Sequence, residues 1–391
     1  GVPSPVRTPT SLRVGNFEGD RKSSALAQVK PTKLVWEGMD FALQALQAQD
    51  FALLVCTFLG GPGVAWSLAA ACKAFHQAVE EAWGDLVRRF PCRLYVVGGL
   101  DNGFRAVDTA WRYDPTQGMW EALPPLEAPT AGPCVAVGAG RVYVLGGENS
   151  GRALSDAQRF DPWMGCWEKL PPMTQGRIRS AAVSSGGYLY VLGGLDGSKP
   201  LNTAERFNPL TQTWEALPPM NRPRYACAAA VQGSKIVAFG GELTEAGLHA
   251  SCERYDPETN EWELLPAVRA PVCGAAVAIT GACRSAYNLG GLGLSGQALG
   301  VAEQLPLMSM LEEGADQKAL PNWHPIAPMP TPRHLASAAA FRGGCVAVGG
   351  KGATFDAVTD VELYDPDVGA WEVLPSLPYP RLRAGVAGGR L

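Results

Sequence analysis

The sequence predicts a mainly β protein in which six repeated units form a six-bladed β-propeller, preceded by a small α-helical module. Two observations carry this prediction. Pairs of glycines recur at steps of 48, 47, 47, 50 and 59 residues, at positions 98–99, 146–147, 193–194, 240–241, 290–291 and 349–350. Each pair is followed by a tryptophan, namely Trp120, Trp167, Trp214, Trp262, Trp323 and Trp371. A fixed period of this length is typical of repeat architectures, in which each unit buries its faces against its neighbours.

The composition agrees with a globular protein rich in tight turns. Of the 391 residues, 47% are hydrophobic, which is enough for a large core, and the 46 glycines and 32 prolines favour many turns. The 33 basic and 37 acidic residues give a net charge of −4. This balance argues against a non-specific nucleic-acid binder, because such a protein would carry a basic excess.

The cysteines and histidines show no metal-binding or disulfide pattern. No two of the ten cysteines have C-x-x-C spacing, and the four histidines are scattered, so we expect no zinc site and no cofactor. The cysteine content is far below that of a disulfide-rich secreted domain, which predicts a cytoplasmic or nuclear protein.

The first 90 residues differ from the rest of the chain. Residues 1–32 are polar and aperiodic and are predicted to form a flexible tail. Residues 33–90 carry apolar side chains at three- and four-residue steps, which predicts a compact set of helices. Residues 51–72 contain no charge and are long enough to span a membrane, but the sequence GGPG at 60–63 would interrupt such a helix. We therefore expect two short helices joined by a turn, and no membrane association.

Further motifs recur at regular spacing within each unit. A Tyr-Asp-Pro-like turn lies between the glycine pair and the tryptophan, and a proline-containing segment follows the tryptophan. The turns are WRYDP (111–115), QRFDP (158–162), ERFNP (205–209), ERYDP (253–257) and ELYDP (362–366). Together these features resemble the Kelch repeat, and six copies are predicted to fill residues 91–391. The fifth copy departs from the pattern, with VAEQL in place of the turn and about eleven extra residues before Trp323.

The ends of the repeat region predict how the ring closes. The first unit begins at Arg93, in what should be the second strand of a blade, so its first strand is missing. Residues 384–388 (AGVAG) have the small side chains expected of an innermost strand that is crowded near the axis, and they should supply it. We therefore predict a propeller that is closed by its C-terminal strand.

One face of the predicted propeller collects polar and charged loops. In a four-stranded antiparallel blade, the loop after each glycine pair and the loop to the next blade lie on the same side. The resemblance to Kelch propellers implies that this side binds a target protein, and arginine is suited to bidentate capture of carboxylates. An acidic target segment is therefore expected. The residues assigned to the target-binding face are Arg105, Asn149, Arg152, Arg179, Tyr225, His334 and Arg383.

Four further arginines stand at the start of inter-blade loops. For these positions a structural role is the stronger expectation, because ion pairs inside a repeat fold are common. They are Arg177, Arg224, Arg333 and Arg381.

Residues 50–89 begin with an apolar helical stretch that ends in Phe58-Leu59 and is followed by a short turn. A second helical stretch carries Leu68, Cys72-Lys73 and Phe75, and Trp83 and Leu86 follow. These features resemble a divergent F-box, although the usual Leu-Pro opening is absent. The resemblance implies a Skp-type adaptor and a cullin as partners, and a role as the substrate receptor of a ubiquitin ligase. The residues it implies for adaptor binding and for the module's own core are Leu53, Leu54, Phe58, Leu59, Val64, Leu68 and Phe75. A plain helical cap on the propeller, in a Kelch scaffold or adaptor with no ligase link, is the alternative.

No motif predicts catalysis. The sequence contains no P-loop, no nucleophile elbow and no H-E-x-x-H. We expect a protein that is not an enzyme, with no catalytic residue and no bound metal. The insertion in the fifth unit is expected on the opposite face, as a second contact surface or a tolerated loop.

Overall fold

In the computed structural model, the described residues are 92–243, 247–248, 251–265, 275–280, 285–293, 295–307 and 323–389. The predicted tail (1–32), the predicted helical module (33–90) and most of the fifth unit's insertion lie outside these ranges. Within the described ranges, no helix is long and apolar enough to span a membrane.

Six four-stranded antiparallel sheets form the blades of a propeller. The strands of each blade are given from the innermost to the outermost. Blade 1 contains β28 (Gly385–Gly389), β1 (Arg93–Val97), β2 (Ala110–Asp114) and β3 (Met119–Leu123). Blade 2 contains β4 (Cys134–Gly138), β5 (Arg141–Leu145), β8 (Ala157–Asp161) and β9 (Cys166–Leu170), and blade 3 contains β10 (Ala181–Ser185), β11 (Tyr188–Leu192), β12 (Ala204–Asn208) and β13 (Thr213–Leu217). Blade 4 contains β14 (Ala228–Gln232), β15 (Lys235–Phe239), β18 (Cys252–Asp256) and β19 (Glu261–Leu265). Blade 5 contains β20 (Ala276–Thr280), β21 (Ser285–Leu289), β22 (Ala302–Pro306) and β23 (His324–Pro325). Blade 6 contains β24 (Ser337–Phe341), β25 (Gly344–Val348), β26 (Val361–Asp365) and β27 (Ala370–Leu374). Short hairpins extend the loops of blades 2 and 4: β6 (Glu148–Asn149) with β7 (Arg152–Ala153), and β16 (Glu242–Leu243) with β17 (Gly247–Leu248).

Blade 1 is completed by the last strand. β28 pairs with β1 in antiparallel fashion, with Arg93 opposite Gly389 and Val97 opposite Gly385. This pairing confirms the predicted closure, although the strand begins one residue later than the expected 384–388. The innermost strands also lie against one another around the ring, in the order β28, β4, β10, β14, β20, β24 and back to β28.

The innermost strands carry small side chains, as the sequence predicts. They surround an axial cavity of about 380 Å³, whose lining includes Ala136, Ser184, Ala229, Ala338 and Ala387. Because the blades converge toward the axis, small side chains allow the six innermost strands to approach one another.

The recurring tryptophans join neighbouring blades. Five of the six stack against the aromatic residue of their own turn, as Trp214 does against Phe207 with ring centres 5.0 Å apart. In five of the described blades the indole N–H donates to a backbone carbonyl of the preceding blade, at 2.7–2.8 Å: Trp120 to Pro375, Trp167 to Pro124, Trp214 to Pro171, Trp262 to Pro218 and Trp371 to Ala327. The bond from Trp120 to Pro375 joins blade 1 to blade 6 and reinforces the closure.

The acidic or amide residue of each Tyr-Asp-Pro-like motif fixes the turn between the third and fourth strands. Its side-chain oxygen accepts a hydrogen bond from the backbone N–H two residues later. Asp161 accepts from Trp163 and Asn208 accepts from Leu210, both at 2.9 Å. The motif recurs because this local bond replaces a backbone partner that the turn leaves unsatisfied.

Each glycine pair follows the second strand of its blade. At this point the backbone of an inter-blade loop lies very close to the glycines. Gly98 has a φ of +61°, and a Cβ atom there would lie 2.3 Å from the carbonyl oxygen of Thr130. A Cβ atom at Gly193 would lie at the same distance from the carbonyl oxygen of Arg224. Only glycine allows both this conformation and this approach.

Blade 5 keeps the fold despite its divergent sequence. Its outermost strand is reduced to two residues, and Leu305 stands where the other blades carry Tyr or Phe. Trp323 is nevertheless buried between blades 4 and 5, with its ring edge-on to Phe239 at 6.1 Å. The apolar contact between the blades is therefore retained.

Removing residues 385–391 should destabilise the propeller, because β1 would lose its partner and blades 1 and 6 would lose the strand between them. We expect the melting temperature, measured by circular dichroism, to fall by more than about 5 °C, since a loss of a few kcal/mol shifts a domain of this size by that much. Removal of residues 390–391 alone is the matched control and should have no effect. Identical melting curves for the two truncations would contradict closure by β28.

Candidate binding face

Two sets of loops form one face of the propeller, which we call the upper face: the loops after the glycine pairs and the inter-blade loops. Backbone hydrogen bonds join the two sets. The N–H of Leu100 donates to the carbonyl of Leu382 at 2.7 Å. Lys351 and His334 exchange two such bonds, at 2.7 and 3.0 Å. The loops that the sequence places on one side are therefore fixed to each other by main-chain contacts.

Three arginines at the start of inter-blade loops are buried and paired with glutamates. Arg177 contacts Glu205 at 2.8 Å, and its second terminal nitrogen donates to the carbonyls of Gly193 and Thr203 at 2.8 and 2.9 Å. Each guanidinium thus links its inter-blade loop to the glycine pair of its own blade. The equivalent pairs are Arg224–Glu253 and Arg333–Glu362.

Arg381 occupies the same position in blade 1 but meets a different partner. Trp111 stands where the other three blades carry glutamate, and its ring lies 6.2 Å from that of Tyr379. The guanidinium of Arg381 donates instead to the hydroxyl of Thr109 and to the carbonyl of Pro380. Burial lowers the pKa of Arg381, and nearby carboxylates partly oppose this shift. All four arginines are therefore at least nine-tenths buried, as the structural expectation requires.

Two residues further along, the inter-blade loops form the rim of the axial cavity. Arg179 and Arg383 lie there in the left-handed region, with φ of 52° and 49°. A series of backbone hydrogen bonds runs around this rim, each from one blade to the one before. Arg383 donates to Leu335, Gly132 to Arg383, Arg179 to Gly132 and Ala226 to Arg179, at 2.8–3.1 Å. A second cavity of about 150 Å³ lies at this end of the axis, with Arg179 and Arg383 in its lining.

The side chain of Arg179 crosses toward blade 4. Its guanidinium carbon lies 5.5 Å from the centre of the Tyr225 ring, which is a cation–π contact. Two of the predicted site residues are thereby brought together, and both are partly exposed.

His334 is buried rather than available at the surface. Only 6% of it is exposed, and its ring lies edge-on to Phe355 at 6.1 Å. Burial and the neighbouring Lys351 ammonium lower the pKa of His334, which favours the neutral imidazole at pH 7. This predicted site residue therefore packs against Phe355, and its side chain is not accessible to a partner.

The other predicted residues lie on the loops after the glycine pairs. Arg105 is largely exposed and forms an ion pair with Asp101 at 3.1 Å. Asn149 accepts a hydrogen bond from the hydroxyl of Ser150, and Arg152 is exposed in the same hairpin.

Lys351 and Phe355 were not among the residues that the sequence predicts. Lys351 lies with its ammonium 4.6 Å from the centre of the Phe104 ring and 5.7 Å from that of Phe355. Alignment of the repeats would have found Phe355, because it stands five residues after its glycine pair, as Phe104 does. The position of the Lys351 side chain between the rings has no sequence pattern of its own.

Three of the described cysteines have buried, unreactive thiols. Cys134, Cys252 and Cys345 are buried and free, and burial raises the pKa of Cys134 to about 11 and that of Cys252 to about 12. Among the described residues, no group of three or more His, Cys, Asp or Glu is placed to hold a metal ion. The residues predicted to bind an adaptor, from Leu53 to Phe75, lie outside the described ranges.

The comparisons with known proteins agree with this fold. The family model of the Kelch motif matches four consecutive segments, 90–127, 129–174, 176–221 and 223–268, which correspond to the first four units. Among solved structures, one described as "Structure of YjhT" matches with a TM-score of 0.55 and 18% sequence identity, over 72% of this chain and 97% of the other. At that identity the likeness shows the fold alone. No curated protein gives a significant match.

Substituting Glu205 with alanine should cost about 3–5 kcal/mol of unfolding free energy, because Arg177 would remain buried without its counter-charge. Glu215 lies on the neighbouring strand and pairs with Arg206 at 2.7 Å, but it is 60% exposed. Glu215→Ala is therefore the matched control and should cost less than about 1 kcal/mol. Urea denaturation of both variants measures the difference, and equal losses would contradict the structural role of the buried pair.

Proposed function

Because the chain is a Kelch-repeat β-propeller protein, we propose that it is a non-catalytic interaction protein whose upper face binds an acidic segment of a target protein. Kelch propellers generally serve as protein-binding scaffolds. The observation that carries the acidic specificity is the placement of Arg179 and Arg383 at the rim of the axial cavity. Both guanidinium groups are able to bind a carboxylate through two parallel hydrogen bonds.

The rigidity of the rim supports this proposal. The backbone hydrogen bonds around the rim hold the residues next to both arginines, so little conformational entropy is lost there when a target binds. Gly132, Ala226 and Leu335 have a positive φ at the equivalent position, so this turn is a regular feature of the rim. Arg152 extends the positive charge onto the outer loops, and Asn149 adds an amide that both donates and accepts. Arg105 adds a further exposed guanidinium, which is paired with Asp101.

Two carboxylates of the upper face are bound within their own loops. Asp101 accepts hydrogen bonds from the backbone N–H groups of Gly103 and Arg105, at 2.8 and 2.9 Å. Asp196 accepts in the same way from Lys199 at 2.9 Å. These bonds lower the pKa of both carboxyl groups and bind them within their own loops.

Reversing the charge of Arg179 and Arg383 together should abolish acidic-peptide binding. A display library of random 12-residue peptides is selected on the full chain, and affinities of the selected peptides are measured by fluorescence anisotropy. We expect enrichment of Asp and Glu, and at least about tenfold weaker binding by the Arg179→Glu, Arg383→Glu variant, which corresponds to about 1.4 kcal/mol.

Arg342→Glu is the matched control for that variant. Arg342 also has a positive φ of 51°, but it lies in the loop between β24 and β25, on the opposite face. Its reversal should leave affinity unchanged. A selection without acidic enrichment, or equal affinities for all three proteins, would refute the acidic-target proposal.

A finer proposal concerns the partner of residues 33–90. The F-box resemblance of residues 50–89 supports a role as the target-recognition subunit of a cullin–RING ubiquitin ligase, in which a Skp-type adaptor binds this segment. The family comparison reports the Kelch motif and no F-box. The competing proposal is a Kelch scaffold or adaptor, cytoskeletal or signalling, without a ligase link. In both, the propeller selects the target and the protein works in the cytoplasm or nucleus, where free thiols such as Cys166 persist.

Co-expression with a Skp-type adaptor should separate these two proposals. The ligase proposal expects a stable one-to-one complex on size-exclusion chromatography, and loss of that complex when Leu54 and Phe58 are both changed to Asp, since a charge cannot enter an apolar groove. Circular dichroism of the variant checks that the propeller stays folded. A well-folded protein that forms no complex would favour the scaffold.

A further inference from the structure

Two phenylalanines on the upper face share an unusual backbone conformation. Phe104 in blade 1 and Phe355 in blade 6 have φ of 59° and 63°, and each is 53% exposed. Both stand five residues after the second glycine of their pair. In blade 5 the same position is Gly296, with φ of +80° and open space around it. Phe104, Phe355 and Gly296 each donate their N–H to the carbonyl three residues earlier, at 3.0, 3.0 and 2.9 Å, so the turns are alike.

Glycine is the residue that this turn favours, and an aromatic residue is strained there. A bulky side chain with positive φ is a conformational outlier that persists where the surrounding structure holds it. Two neighbouring blades hold such a side chain, and both leave it half in solvent. Neither ring is therefore used to fill the core.

Lys351 lies between the two rings and lacks a counter-charge. Its ammonium is 4.6 Å from the centre of the Phe104 ring and 5.7 Å from that of Phe355. No carboxylate within the described ranges forms an ion pair with it. Two acidic residues border the cluster: Asp101 is paired with Arg105, and Asp356 is exposed. The half-buried ammonium, which contacts both phenyl rings, is therefore able to pair with an anionic group of a binding partner.

The two loops are also fixed relative to each other across the closure between blades 6 and 1. The side-chain oxygen of Asn102 accepts a hydrogen bond from the N–H of Ala357 at 3.1 Å. Beneath them, Leu100 and Leu382 pack together with Ala357 against them. The rings and the ammonium are thus preorganised.

We propose that Phe104, Lys351 and Phe355, named the phenyl–lysine cluster, bind a carboxylate of the target together with a large apolar side chain next to it. The ammonium pairs with the carboxylate, and the exposed ring faces pack against the apolar group. Large side chains that lose their solvent contact on binding carry most of the binding energy at an interface. This inference rests on the proposed acidic target and adds that the target carries an apolar residue beside its acid.

The test changes both phenylalanines to glycine, which is the residue at the equivalent position of blade 5. Phe104→Gly with Phe355→Gly removes the aromatic surface and relieves the backbone strain, so the melting temperature should not fall. The same peptide library is selected on the wild-type chain and on this double variant. The wild type should enrich peptides in which a large apolar residue adjoins Asp or Glu, and the variant should keep the acidic enrichment but lose the apolar one.

Affinities for one selected peptide complete the test. We expect the double glycine variant to bind at least about tenfold more weakly, and Lys351→Met at least about fivefold more weakly, as for residues at the centre of an interface. Trp163→Gly removes an aromatic residue of similar exposure from the opposite face and should have no effect.

Two outcomes would overturn the inference. Equal apolar enrichment on the wild type and the double variant would do so while leaving the acidic target intact. A melting temperature that falls markedly, with peptide preference unchanged, would show that the rings serve stability. Absence of acidic enrichment on either protein would overturn the proposed function instead, together with the part assigned to Lys351.

Discussion

The antiparallel pairing of β28 with β1 is the interaction on which the remaining structure depends. A ring of blades closes only if its first and last blades meet, and here they meet within one blade. The indole bond from Trp120 to Pro375 joins the same two ends of the ring. The same holds for the contact between Asn102 and Ala357, because it joins loops that belong to the two ends of the repeat region. Stability and the geometry of the upper face are thus consequences of one pairing.

Arginines occupy two different environments on the upper face. They stand at the first and the third position of the inter-blade loop, as Arg177 and Arg179 do. At the first position of the inter-blade loop, a glutamate on the third strand draws the guanidinium inward, and Arg177 is 1% exposed. At the third position, the left-handed backbone directs the loop along the rim of the cavity, and Arg179 stays partly exposed beside Tyr225. Local backbone geometry, more than residue type, decides which positive charges are available to a partner. In blade 1 Trp111 replaces that glutamate, and Arg381 is buried with hydrogen bonds to Thr109 and Pro380 instead.

Periodicity in the sequence was sufficient to predict the blades, their number and the closing strand, because each depends on a motif that repeats. It also predicted the buried arginines, since their position relative to the glycine pairs is regular. It could not predict that His334 is buried, or that Lys351 lies between Phe104 and Phe355, because these contacts join different blades and are set by side-chain direction. The binding roles of Arg105, Asn149, Arg152, Arg179, Tyr225 and Arg383 remain predictions, as does the F-box-like segment.

The position of β28 has a consequence for how the chain folds as it is made. Among the described strands β1 leaves the ribosome first, and Leu94, Tyr95 and Val96 are almost completely buried in the finished ring. Their partner strand follows five complete blades, so blade 1 must wait as a three-stranded sheet with an open, apolar edge. Such edges are prone to pair with other chains. Nascent chains of this protein are therefore most exposed to aggregation, and most in need of chaperones, during the interval before Gly385–Gly389 is synthesised.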